Sequence, residues 1–104
     1  MHSGRSLAAP IASTALDYVA GETDFCVLGN PGAGASITIT LPRAVDASGR
    51  IYVVKKLNAP AGDTVSLASV DNIDGATPLT LTVQYSARTV QSDGATWHVI
   101  SSYL

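Results

Sequence analysis

Strict two-residue alternation constrains this chain more than any other feature. "ASITITLP" (35–42) sets Ile37, Ile39 and Leu41 on one side and Ser36, Thr38 and Thr40 on the other, the pattern of a half-buried strand. "GRIYVVKKL" (49–57) does the same, with Ile51, Val53 and Lys55 opposed to Tyr52, Val54 and Lys56. "TVSLASV" (64–70) and "PLTLTVQY" (78–85) follow, the latter placing Leu79, Leu81 and Val83 inward. Turn residues interrupt these runs every eight to twelve positions, the spacing of an all-β sandwich or barrel. A helical period is missing throughout.

The remaining runs complete the picture. "STALDYVA" (13–20) reads as a first strand or lead-in, and "TDFCVLG" (23–29), apolar almost throughout, as a strand buried on both faces. "RAVDAS" (43–48) has room for one helical turn, and "ARTVQS" (87–92) and "TWHVISSYL" (96–104) are the closing strands. The letters Asp-Gly-Ala-Thr occur twice, at 74–77 and 93–96. Asp-Gly favours positive φ, so both copies read as one turn chemistry closing two hairpins. A chain of 104 residues suits a single domain. The expectation is an antiparallel β-sandwich of jelly-roll type with about eight strands, spanning 13–104 after a lead-in or linker stub at 1–12.

Composition says how such a sandwich meets its surroundings. Charged residues are 13% of the chain, with only two Lys and one Glu, against about 25% charged in an ordinary domain. Lys and Glu normally cover solvated surface, so their scarcity points to surface hidden by association with copies of the same chain. Net charge is −2, and the six basic residues are scattered apart from Lys55-Lys56; nucleic-acid binding, which needs clustered Lys and Arg, is not expected. The longest apolar runs fall far short of a membrane span, so no membrane insertion is expected. The single Cys26 allows no internal disulfide and reads as a structural thiol. Lysine on an edge strand discourages unwanted pairing, which is the reading given to Lys55 and Lys56.

Three kinds of site are conceivable in such a chain. Asp93 and His98 flank a turn, but no Gly-x-Ser-x-Gly or other nucleophile motif accompanies them, so no catalytic residues are assigned. His2, His98 and Cys26 are the only nitrogen and sulfur ligand candidates, and Asp71 with Asp74 is a short carboxylate pair; no metal or other cofactor is expected. Sugar binding asks for aromatic faces beside polar groups, and Trp97, His98 and Tyr85 are the candidate ligand or interface residues, with Tyr103 nearby in sequence. Alternation sends Trp97 and His98 to opposite faces, which favours core or subunit interface for Trp97.

The ordered set "ITITLPRA", "GRIYVVKK", "DTVSLAS", "IDGAT" and "LTLTVQYSARTVQSDGATWHVIS" resembles a β-rich module near the ends of bacteriophage fibre and virion decoration proteins. The likeness runs over residues 14–102. It implies a small trimeric β-sandwich or jelly-roll domain in a tail fibre, head fibre or decoration protein, located in the virion and made in the host cytoplasm. It also implies other virion proteins as partners, with a host cell-surface glycan as a further candidate, and it brings no catalytic residues. Since few residues precede the module, the chain is expected to be an excised fibre tip or a stand-alone decoration protein. The alternative is a carbohydrate-binding, receptor-recognition module.

Overall fold

A computed structural model describes residues 9–60, 62–75 and 78–104. Nine strands are formed: β1 (Ile11–Thr14), β2 (Tyr18–Val19), β3 (Cys26–Gly29), β4 (Ile37–Thr40), β5 (Ile51–Lys56), β6 (Val65–Ala68), β7 (Leu79–Leu81), β8 (Ala87–Ser92) and β9 (Trp97–Tyr103). One 3-10 turn covers Ala44–Ala47. The strands build two mixed sheets, ordered β1-β3-β5-β8-β9 and β2-β4-β6-β7. The all-β expectation holds.

The antiparallel expectation does not. β1, β3 and β5 pair in parallel, as do β2, β4 and β6; only β5–β8, β6–β7 and β8–β9 are antiparallel. Through β6 the chain crosses to the other sheet after every strand, so it winds as a coil rather than in the antiparallel Greek keys of a jelly roll. A parallel pair needs a crossover of a dozen or so residues, usually through a helix. Here the crossover is a strand of the facing sheet. Alternation of side chains is identical in parallel and antiparallel strands, so the sequence pattern carries no sign of this.

The inner faces make one core. Tyr18–Ile39–Leu67–Leu79 and Ile37–Val65–Leu81 are its rows in the four-stranded sheet, facing Val27, Tyr52, Val54, Val90 and Trp97 from the other. Trp97 and Tyr52 meet at 5.7 Å between ring centroids, tilted by 56°. Each aromatic has its polar atom satisfied: Trp97 Nε1 donates to Pro42 O at 3.1 Å and Tyr52 Oη to Gly21 O at 2.9 Å, as buried Trp and Tyr require. At Gly29 the sheets approach closely enough that a Cβ would lie 2.8 Å from both Val65 methyls.

Several local expectations are revised. Ile11 and Ala12, placed in the lead-in, belong to β1; the rest of that stub through residue 8 lies outside the described residues. "STALDYVA" divides between β1 and β2 because the chain turns at Thr14–Leu16, where the Thr14 hydroxyl caps the bend. β7 stops at Leu81, which leaves Val83 54% exposed. β5 sits in the middle of its sheet, not at an edge, and Lys56 is wholly buried. Its ammonium donates to the Asn58 and Pro60 carbonyls at 2.6 and 3.0 Å: the cation ties down the loop after β5 and guards no edge.

The two Asp-Gly-Ala-Thr copies also differ. The second is the loop of the β8–β9 hairpin, where Asp93 Oδ1 accepts the Ala95 and Thr96 amides. The first closes no short hairpin. Its Asp74 and Gly75, both at positive φ, lie in the long β6–β7 connection, while Ala76 and Thr77 lie outside the described residues; the connection reaches β9, where Ile73 bridges Trp97, Trp97 N donates to Asn72 O and Asp74 N to Trp97 O.

Candidate functional site

The register of the five-stranded sheet fixes what its outer face displays. Three rows cross it: Ile51–Gln91–His98, Ile11–Cys26–Val53–Thr89–Ser101, and Ser13–Leu28–Lys55–Ala87–Tyr103. The central strands put Cys26, Leu28, Ile51 and Val53 outward, half-buried, and Ile11 at the edge is 66% exposed. "TDFCVLG" is therefore not buried on both faces within the subunit: Val27 and Gly29 go inward, Cys26 and Leu28 outward. Burial by these apolar neighbours, opposed by the Lys55 charge, pushes the Cys26 thiol above its ordinary pKa. The face carries charge only near its ends, with Lys55 at one and the aspartates around His98 at the other.

His98 joins the two Asp-Gly turns. Its Nε2 lies 2.7 Å from Asp93 Oδ2, and its Nδ1 4.0 Å from Asp74 Oδ1. Asp74 Oδ1 in turn accepts the Val99 amide at 3.0 Å. The hydrogen bond from His98, followed by those from the Thr96 and Ala95 amides, holds the Asp93 carboxyl at about 2, below its usual 3.8. Beside them a hollow of about 390 Å³ is lined by Gln91, Ser92, Asp93, His98 and Ile100. Ser92 Oγ, also lining the hollow, donates to Ala44 O and accepts the Gly94 amide. Both imidazole nitrogens thus face carboxylates, an arrangement that fastens the two loops together.

A larger cleft, about 720 Å³, opens at the Ile51 end of the same face. Pro10, Phe25 and Ile51 give it apolar walls, and Glu22, Thr23 and Arg50 give it polar ones. Its loop is held in shape by Tyr18 Oη on the Asp24 carboxylate at 2.9 Å, by Gly21 N on Asp24 at 2.9 Å, and by Arg50 Nη1 on Glu22 O at 2.6 Å. Nothing in the alternation pattern marks this cleft, because its walls come from three loops distant in sequence. The parallel pairing of β3 with β5 brings Phe25, Arg50 and Ile51 to one cleft, and alternation does not reveal that pairing.

The three residues singled out from sequence are not brought together. Trp97 is fully enclosed in the core, so it lines no surface site. Tyr85, at positive φ, stands beside Lys55, whose Nζ is 5.4 Å from its ring centroid. His98 belongs to the row of Ile51, four residues along β5 and ~13 Å away by strand rise. Among metal-ligand candidates, His2 lies outside the described residues, Cys26 is on the outer face, and Asp71 accepts the Ala44 amide at 2.8 Å. Among the described residues no three His, Cys, Asp or Glu side chains form a group able to hold a metal ion, and no helix is long and apolar enough to cross a membrane. Neither protein-family models nor curated protein sequences match this chain.

Proposed function

We propose that this chain is a non-enzymatic structural module of a bacteriophage virion, a fibre tip or a capsid decoration, and that it works as a homotrimer. One observation carries the self-association: the outer face of the five-stranded sheet presents Ile11, Cys26, Leu28, Ile51 and Val53 where a solvated strand would present polar side chains. The exposed Tyr103, in an outer row of that sheet, and Ile100, beside Gln91 and His98, extend that surface. A contiguous apolar face of this kind is a candidate interaction surface. The virion setting rests on the resemblance of residues 14–102 to fibre and decoration modules.

Co-sedimentation of the purified chain with particles of the phage that encodes it, lacking their own copies, tests the proposal. Saturable binding to particles is expected. The cleft walled by Phe25, Pro10 and Ile51 with Glu22, Thr23 and Arg50 favours a second reading, a sugar-binding attachment module, since sugars are gripped by an apolar platform ringed with donors and acceptors. Saturable binding on a glycan array, with none to particles, would select that reading instead.

A further inference from the structure

The two edges of the five-stranded sheet match one another in height. β1 forms one edge and β9 the other. Ile11 lies in the same cross-sheet row as Ser101, and Ser13 in the same row as Tyr103. The row of His98 has no β1 member. It is there, at Trp97–Val99, that the β6–β7 connection covers the edge of β9, through the Ile73–Trp97 bridge and the Asp74 contacts to Trp97 and Val99. Among the described residues nothing pairs with the far side of β1, or with β9 beyond Val99. The stretch of β9 left open is the stretch level with β1.

Area argues that the edges take part in assembly. Four strand spacings by about five residues give the outer face a footprint of roughly 300 Å², whereas a stable pair of proteins buries about 800 Å² on each partner. The face alone is too small, and contact must run on over its margins. An open edge of backbone N–H and C=O groups accepts an extended strand. β9 offers neither Lys nor Pro to discourage one.

We infer that copies of the chain close into a ring about an axis parallel to the strands, the Ser101–Tyr103 edge of β9 pairing with Ile11–Thr14 of the next copy and the apolar faces turned toward the axis. Rotation about such an axis keeps every residue at its own height, so open edge meets open edge and the covered residues Trp97–Val99 meet none. Because β1 runs parallel to β5, and β9 returns to that direction through β8, the new pair is parallel. Contacts of this kind are head-to-tail, which rings require. The ring size of three rests on the proposal above.

Cysteine cross-linking tests the arrangement. In a Cys26→Ala background, Ile11→Cys combined with Ser101→Cys, treated with a short bis-methanethiosulfonate, is expected to give a denaturing-gel ladder ending at three chains, and each single variant to stay unlinked. Light scattering on the wild type separates the two claims. Three chain masses without a ladder, or dimers from Ser101→Cys alone, overturn the ring and leave the trimer standing; one chain mass overturns both. Should the cysteine variants not fold, hydrogen exchange on the wild type decides. Amides of Ser101–Tyr103 are expected to exchange at least tenfold more slowly in the oligomer than after dilution to monomer, and equal rates overturn the ring.

Discussion

The two sheets share a core and differ in their exteriors. The four-stranded sheet turns outward Thr38, Ser66 and Thr80 in one row and Val19, Thr40 and Ala68 in the other, with Ser66 and Thr80 hydrogen-bonded at 3.1 Å. The five-stranded sheet turns outward Ile11, Cys26, Leu28, Ile51 and Val53. The first exterior is what water tolerates on a strand, mostly short hydroxyl side chains, with Val19 and Ala68 as its apolar members. The second has the apolar composition of a core face. Charge scarcity alone does not tell where a surface is covered. Under the proposed self-association, the contrast between the sheets names the five-stranded side as the one to be covered.

Substitutions can break this contrast. The largest effect belongs to the shared core: Leu81→Asp buries an unpaired carboxylate and costs several kcal/mol, enough to abolish soluble expression, and normal yield would show the inward face to be misassigned. Next comes the exterior pair. Val53→Asp is expected to dissociate the oligomer to single chains on light scattering, whereas Thr38→Asp leaves its mass unchanged; equal behaviour would erase the distinction between the faces. Gly29→Ala then probes how closely the sheets approach. Its Cβ would stand 2.8 Å from the Val65 methyls, and overpacking of this kind costs about 1–3 kcal/mol in denaturant unfolding.

The smallest effect is in acid. Asp93 titrates at about 2 in the folded protein against 3.8 ordinarily, so the folded state binds fewer protons there than the unfolded state. Its stabilising contribution is complete above pH 4 and is lost as pH falls toward 2. Asp93→Asn should flatten the part of the acid melting profile between those values, and an unchanged profile would remove Asp93 from the account. Solvent exposure on both sides of the His98 pair keeps the effect small.

Much of the fold was legible because period-two patterning reports burial directly. The faces of β4 and β5 followed from "ITIT" and "IYVVKK", down to Lys56 turning opposite Lys55. Pairing partners were not legible. The same pattern serves parallel and antiparallel neighbours, so neither the coil through β6 nor the central place of β5 is visible in it. "CVLG" misled for a related reason: uniform hydrophobicity reads as two-sided burial, and here Cys26 and Leu28 are only half-buried within the subunit. Trp97, His98 and Tyr85 looked like one site because they are aromatic or polar and near the C-terminus. The hairpin separates them, sending Trp97 into the core and Tyr85 to the opposite end from His98. The doubled turn letters held a relation no pattern states, two aspartates meeting one histidine.

Cys26 provides the most direct test, since it lies in the middle row of the outward apolar face. The rate at which its thiol reacts with a water-soluble disulfide reagent should be followed as wild-type concentration rises. If that face is covered by sister chains, the rate falls at least tenfold over the concentration range in which the chains assemble. A rate independent of concentration, up to the highest attainable, would mean that the face stays open and that the chain acts alone.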